Sequence, residues 1–252
     1  MSVFLGIDIG GSGVKGALVD VSTGEVVSER FRVATPRPAT PEAVLAVVEE
    51  VVAHFAWGSP FGCTFPGVTV NDMISTADNM DPGWVGVDAA AAIEASTGLR
   101  VAMLNDGDAA GVAETVFGAG RGLDGTVLLL TFGTGIGSAL LYNDTLVPNT
   151  ELGHLEFRGM EAEDYAAARL VEREDMRIDW WASRVNEFLI HVEHLFTPSR
   201  IIFGGGIAKR FDEIAPFLTV ATEVVPAALL NNAGIVGAAY TANQRYGRDS
   251  ND

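Results

Sequence analysis

Asp8, Gly10-Gly11-Ser12-Gly13 and Lys15 crowd a carboxylate, a hydroxyl and an ammonium around glycines that expose backbone N–H groups. Successive N–H groups in such a turn form a concavity that binds anions. Asp8 would repel a bare phosphate, but it can hold a metal ion, or the ion's waters, beside one. The glycines could equally serve only to supply positive φ. A second turn has the same character: Thr131 is followed by Gly133-Thr134-Gly135 and then Gly137. Neither copy carries the Gly-Lys-Ser/Thr ending and following helix of a P-loop, and neither opens directly into a helix as a dinucleotide fingerprint does. Two such turns, one near the start of each half, point to a divided phosphate site and to duplicated domains facing each other across a cleft.

Two further groups could bind or activate a polar substrate. Asn105-Asp106-Gly107-Asp108 follows the apolar run Val101–Leu104 and precedes a helical run from Ala109 to Phe117. A carboxylate at a helix start is favoured by the dipole and can act simply as a cap. Carboxylates beside an Asn also suit a polyol, each oxygen accepting from sugar hydroxyls. Glu151-Leu152-Gly153-His154-Leu155-Glu156 packs charged and imidazole groups around a glycine. Those spacings could ligate a metal, but no further His or Cys lies near enough in sequence to complete a zinc set. Glu163 is expected in the first turn of a charged helix spanning Glu161 to Glu174, where the dipole favours it.

The elements that must position these groups are legible in outline. Val3–Ile9 and Val14–Asp20 predict a buried hairpin. Val21 to Thr35 predicts a third antiparallel strand, with Arg30, Arg32 and Arg37 on a solvated face. Thr40-Pro41-Glu42 opens a helix whose apolar stripe is Leu45, Val48, Val51, Val52 and Phe55. Thr64 to Val68, including Gly67, reads as a loop after a short strand, and Asn71 to Trp84 as a polar rim. Asp88 to Thr97 is an Ala-rich helix closed by Gly98. Thr126–Thr131 and Ser138–Tyr142 flank the second turn as strands. Ile178 to Phe196 is an amphipathic helix with Trp181, Val185, Phe188, Leu189, Val192 and Leu195 inward. Ile201–Phe203 is a strand running into Gly204-Gly205-Gly206, where a flat group or a phosphate can approach the backbone, and a helix carrying Lys209 and Arg210 follows. Asn232 to Tyr246 is a final Ala/Gly-rich helix, and the tail after Gly247 is expected to fray.

Composition narrows the partners. The 252 residues are 48% apolar, enough for a sizeable core in one large or two small domains. A net charge of −17 argues against general nucleic-acid or anionic-membrane binding and opposes long-range steering of an anionic substrate. An anionic donor would have to be held locally by N–H groups, metal and a few cations; Lys15, Arg121, Lys209 and Arg210 are candidates for such a track. Cys63 is the only cysteine, so no internal disulfide and no cysteine-built metal site is expected. No apolar run approaches bilayer length and no signal peptide precedes the first strand, so a cytoplasmic protein is expected.

Five motifs occur together in a familiar order: Asp8-Ile9-Gly10-Gly11-Ser12-Gly13-Val14-Lys15, Asn105-Asp106-Gly107-Asp108-Ala109-Ala110, Thr131 to Gly137, Glu151-Leu152-Gly153-His154, and Gly204-Gly205-Gly206. Over nearly its whole length the chain resembles the ROK sugar kinases of the actin-like ATPase superfamily. Thr35-Pro36-Arg37-Pro38-Ala39-Thr40-Pro41, Phe65-Pro66-Gly67-Val68, Trp180 to Phe196 and Ala233 to Ala239 look like the subgroup of polyphosphate glucokinases, which includes polyphosphate/ATP glucomannokinases. The family's zinc cluster, Cys-x-Cys-Gly-x-x-Gly-Cys, is absent after His154, so no structural zinc is expected. The glutamate after that cluster corresponds to Glu163.

The resemblance implies an α/β fold of two actin-like (ribonuclease H-like) domains, each with a mixed sheet, and an active site in the interdomain cleft. The smaller domain would be 1–107 plus about 233–252, the larger 108–232. It implies phosphoryl transfer from polyphosphate, and from ATP, to the 6-hydroxyl of glucose and also mannose. Asp106 would be the base, and its place at a helix start favours the ionised form. Gly67, Asn105, Asp106, Glu151, His154 and Glu163 would bind the sugar. Asp8, Gly10, Gly11, Ser12, Gly13, Lys15, Thr131, Gly133, Thr134, Gly135 and Gly205 would bind the donor, with Mg²⁺ near Asp8. Domain closure would exclude water. A homodimer and a monomer are both compatible with it. Two other readings stay open: a strictly ATP-dependent glucokinase, and a sugar-responsive regulator. ROK repressors carry an N-terminal helix-turn-helix, whereas the first phosphate strand here starts at Val3, and the acidic charge disfavours DNA.

Overall fold

In the computed structural model, which describes residues 2–247, the chain divides into two compact units. One runs to Ala113 and resumes at Asn232; the other is Glu114–Asn231.

The first unit opens with β1 (Val3–Gly10) and β2 (Gly13–Asp20), paired antiparallel from Val3↔Asp20 to Gly10↔Gly13. The expected third strand comes in two pieces, β3 (Glu25–Val26) and β4 (Phe31–Val33), both antiparallel to β2. Between them the ladder passes through a side chain, because the Leu18 N–H donates to Ser28 Oγ at 3.0 Å. Helix α1 (Pro41–His54) starts on Thr40, whose hydroxyl accepts from the Ala43 N–H. Strand β5 (Phe61–Phe65) lies parallel to β1 and takes in Thr64 and Phe65, which the sequence had suggested were loop. The expected rim is partly ordered: β6 (Thr69–Val70) and β7 (Met73–Ile74) form a small hairpin. Trp84 is fully buried against Phe65, and its indole N–H donates to the Ala39 carbonyl at 3.0 Å. Helix α2 (Ala89–Thr97) ends on Gly98 at φ 73°. Strand β8 (Val101–Asn105) pairs parallel with β5, and α3 (Asp106–Phe117) begins at once, three residues earlier than the helical pattern suggested. The main path of this mixed sheet is β3-β2-β1-β5-β8.

The second unit repeats that order. Strands β9 (Thr126–Phe132), β10 (Ile136–Tyr142) and β11 (Thr145–Val147) are an antiparallel meander. A small hairpin follows, β12 (Glu156–Phe157) with β13 (Met160–Glu161). The single helix expected over 161–174 is two, α4 (Ala162–Ala166) and α5 (Arg169–Arg173). The break has a partner: the Trp181 indole N–H donates to the carbonyls of Ala166 and Ala167, both at 3.1 Å. Trp181 belongs to α6 (Ile178–Phe196), whose buried face is Trp181, Val185, Phe188, Leu189 and Val192. Leu195 is 53% exposed rather than inward. It sits in the last turn, at the edge of the stripe, and lines an open groove with Phe157, Ile190 and His194. Strand β14 (Arg200–Gly204) is parallel to β9, and the segment carrying Lys209 and Arg210 is a 3₁₀ turn ahead of the short α7 (Phe211–Ile214). Strand β15 (Val224–Pro226) completes the sheet β11-β10-β9-β14-β15. Buried Glu114 fastens both ends of this unit: its carboxylate accepts from the N–H groups of Ala119 (2.9 Å), Ala228 (3.0 Å) and Leu229 (2.7 Å).

The closing helix, α8 (Ala233–Tyr246), packs on β1 and β5 of the first unit, as expected. Its approach is set by glycines. A Cβ on Gly6 would fall 2.0 Å from the Ile235 carbonyl oxygen, and one on Gly62 would fall 1.8 Å from that of Ala238. Helix against helix, a Cβ on Gly237 would meet the Ala109 oxygen at 1.9 Å. The expected frayed tail after Gly247 lies outside the described residues. No helix among those residues is long and apolar enough to cross a membrane. Gly62→Ala must push α8 off β5, so it should destabilise the protein by about 1–3 kcal/mol, the usual cost of overpacking, as read from urea unfolding.

Candidate active site

The first turn sits at the tip of β1 and β2, and its glycines are not there for positive φ, since Gly10, Gly11 and Gly13 all lack it. Room is the reason at two of them. A Cβ on Gly13 would come within 2.6 Å of Arg32 Nε, and one on Gly11 within 3.3 Å of the Asn79 carbonyl oxygen. The three arginines expected on a solvated face are exposed, and each also reaches across to another group. Arg32 Nη2 donates to the Ser12 carbonyl at 2.7 Å, Arg37 Nη2 to the Gly11 carbonyl at 3.3 Å, and Arg30 Nη1 to Asn232 Oδ1 at 3.3 Å. Thr35 Oγ1 donates to the Gly10 carbonyl at 2.5 Å. Those contacts engage three successive carbonyls of the turn.

Asp8 is held from both sides. Lys15 Nζ lies 3.0 Å from Oδ2, and Thr64 Oγ1 donates to Oδ1 at 2.9 Å. Register explains the first contact, because Asp8 and Lys15 are directly opposite on β1 and β2; Asp8 is level with Thr64 on parallel β5. Gly234, in the first turn of α8, leaves space for this carboxylate: a Cβ there would stand 3.3 Å from Asp8 Cγ. A lone, partly exposed carboxylate beside a glycine turn fits a divalent cation of the Mg²⁺ type, which takes one or two protein carboxylates and draws its other ligands from phosphates and water. Beneath Asp8, Cys63 is buried, and burial pushes its thiol pKa far up, leaving an inert core thiol.

Asn105 and Asp106 lie where parallel β8 meets α3, the strand-end location at which open α/β sheets bind ligands. Asn105 is buried, with one amide hydrogen and one lone pair in use: Nδ2 donates to the Gly67 carbonyl at 3.1 Å, and Oδ1 accepts from the Asp108 N–H at 3.1 Å. Asp106 is exposed, with Oδ1 accepting from the Gly107 N–H at 2.9 Å. Gly67 is glycine because a Cβ would strike the Thr76 carbonyl oxygen at 2.2 Å.

In the second unit Gly133 and Gly135 also lack positive φ. Glu163, in the first turn of α4 as expected, turns back onto this turn: Oε2 accepts from the Ile136 N–H at 3.2 Å, and a Cβ on Gly135 would fall 2.4 Å from it. Arg169 closes the arrangement. Its main-chain N–H donates to the Gly133 carbonyl at 3.0 Å, its guanidinium to the Thr134 carbonyl, and Nη1 lies 3.4 Å from Glu163 Oε1. Thr131 is paired with Gly137 and Gly204. Gly205 has φ +87°, and a Cβ would be 2.2 Å from the Phe132 oxygen, so this glycine answers to packing against β9; Gly206 beside it faces open space. His154 Nδ1 meets Glu161 Oε2 at 2.9 Å, and that hydrogen bond holds the imidazole pKa above its ordinary value. Glu151 precedes the 3₁₀ turn Leu152–His154, where a Cβ on Gly153 would fall 2.3 Å from the Ile136 oxygen. Arg210, a candidate for an anion track, is engaged by Glu213 at 2.7 Å. Among the described residues no cluster of three or more His, Cys, Asp or Glu could hold a metal.

Thr35, Thr64, Glu161 and Arg169 escaped the sequence reading. Thr64 meets Asp8 only through the parallel register of β1 and β5, and no local spacing announces it. Arg169 carried a signal, since it lies six residues after Glu163, but its value depends on the helix break at Ala167.

The model of the ROK family matches residues 4–165. A polyphosphate glucokinase of Mycobacterium tuberculosis (strain CDC 1551 / Oshkosh) is 51% identical over 235 residues, covering 93% of this chain and 89% of that one. The crystal structure of an inorganic polyphosphate/ATP-glucomannokinase from Arthrobacter sp. strain KM superposes with a TM-score of 0.93 at 47% identity, covering 97% of this chain and 100% of that one. A ROK family glucokinase from Streptomyces griseus, solved with glucose and AMPPNP, gives 0.82 at 26% identity, covering 96% and 100%. Two mixed sheets of identical strand order, each with a glycine turn at its first hairpin, and a family match over more than half its length place this chain in the ROK family.

Proposed function

We propose that the chain is a polyphosphate- and ATP-dependent hexokinase that transfers a terminal phosphoryl group to the 6-hydroxyl of glucose. The observation that carries this reading is Asp106, an exposed carboxylate on the first residue of α3, beside an Asn105 whose amide is locked to Gly67. The donor assignment draws on the 51% identical polyphosphate glucokinase and on the Arthrobacter glucomannokinase. Mannose as a second acceptor rests on the latter's name.

Asp106 accepts the 6-hydroxyl proton as that oxygen bonds to the terminal phosphorus. The bridging P–O bond breaks and its electrons leave on the shortened donor. Asn105, Glu151, His154 and Glu163 hold the other hydroxyls, and the Gly67 backbone supports Asn105. The turn Gly10–Gly13 and the N–H groups of Thr134 and Gly135 meet the donor, with Lys15 beside the first turn, Thr131 beside the second and Gly205 toward its far end; Gly133, whose N–H is donated to the Gly135 carbonyl at 3.0 Å, shapes the second turn. Mg²⁺, held by Asp8 directly or through water, would neutralise charge developing on the donor oxygens. Thr64 and Lys15 keep Asp8 in place.

Asp106→Asn should lower kcat by roughly 10²–10⁴-fold with either donor while the KM for glucose stays within a few fold, in a glucose 6-phosphate assay. Wild-type kcat in that variant would remove Asp106 as base. Turnover by the unaltered chain with ATP but not polyphosphate would leave a strictly ATP-dependent glucokinase. His154 supplies a pH test. Glu161 keeps its imidazole protonated to higher pH, so Glu161→Gln should move the alkaline rise of glucose KM to lower pH. An unmoved profile would show that this imidazole does not govern sugar affinity.

A further inference from the structure

Arg32 and Arg37 differ from most of the arginines in what they touch. Arg158, Arg177, Arg200, Arg210 and Arg245 each lie against a carboxylate. Arg32 and Arg37 are exposed, have no carboxylate within ion-pair range among the described residues, and donate instead to main-chain carbonyls of the first glycine turn. In a chain of net charge −17 this leaves two unneutralised guanidiniums at the anion-binding end of the first unit. They belong to one strap. Arg32, Thr35 and Arg37 engage the consecutive carbonyls of Ser12, Gly10 and Gly11, and Gly13 lacks a side chain where the Arg32 guanidinium lies over it.

A guanidinium has five N–H donors, and each carbonyl contact here uses a single nitrogen. The remaining donors suit tetrahedral oxyanions, which arginine can grip two-pronged. A donor with more phosphates than the transferring pair would bring such groups past the turn. ATP presents a nucleoside in place of the rest of the chain.

We propose that Arg32 and Arg37, braced on the turn Gly10–Gly13, form a subsite for phosphates of a long polyphosphate chain beyond those that react. This rests on the donor reading above and adds to it the residues that prefer one donor over the other. Thr35 belongs to the brace alone, since its hydroxyl carries no charge and is spent on Gly10. The strap therefore does two things: its three carbonyl contacts shape the turn for every donor, and its two guanidinium charges add attraction for a long polyanion.

The test is steady-state kinetics with long-chain polyphosphate and with ATP, on the full chain. The double variant Arg32→Gln/Arg37→Gln keeps an amide donor at each position and removes both charges. It should raise the KM for long-chain polyphosphate about tenfold more than that for ATP. It should also flatten the dependence of that KM on salt, because fewer counterions are released on binding. Thr35→Val should raise both KM values in step. A double variant that moves both donors in step, or leaves the polyphosphate KM within about twofold of wild type, overturns the subsite. Equilibrium binding of long-chain polyphosphate to both proteins keeps the two readings apart. If the wild-type chain turns over no polyphosphate, the donor reading fails; if the double variant still binds it as tightly as wild type, the subsite fails.

Discussion

A backbone turn that holds an anion must keep its carbonyls turned away from it, because each residue presents an acceptor as well as a donor. Both glycine turns meet this constraint, by different means. In the first, side chains from one short segment take three successive carbonyls, through Thr35, Arg37 and Arg32. In the second, a single residue does most of it: Arg169 takes Gly133 with its main chain and Thr134 with its guanidinium. Glu163 then accepts the Ile136 N–H, so a carboxylate from α4 is physically part of the second turn.

Below the turns, glycine serves packing. At Gly6, Gly62 and Gly237 a side chain would collide with a main-chain oxygen, so α8, β1, β5 and α3 meet almost backbone to backbone. This brings the first turn of α8 up to Asp8, where Gly234 again leaves the space open. In the two turns Gly11, Gly13 and Gly135 likewise make room for neighbours, and none of Gly10, Gly11, Gly13, Gly133 and Gly135 needs a left-handed backbone.

Much of this was legible in the residues. Alternation and glycine spacing disclosed both hairpins, Thr40-Pro41 disclosed α1, and Asn105-Asp106 disclosed the strand-to-helix exit. Contacts set by long-range register were hidden: Thr64 reaches Asp8 across parallel strands, and no motif marks that pairing. The charged stretch after Glu161 read as one helix because its composition is uniformly helix-forming. What divides it is Trp181, fifteen residues after Ala166, claiming two carbonyls. Arg32 and Arg37 looked like a solvated face because alternation says which side of a strand a residue is on, and nothing about how far a long side chain bends back.

Glu114 has a consequence for how such proteins can be recombined. The chain leaves its first unit within α3 and re-enters it at Asn232, so the second unit is one uninterrupted insertion. A single carboxylate knots the beginning of that insertion to residues 228 and 229 near its end. A relative's second half, transplanted between these two junctions, would carry its own knot with it. A transplant that separated position 114 from 228–229 would strand a charge in the interior, where lost partners are costly. The natural seams for chimaeras therefore lie just outside that knot.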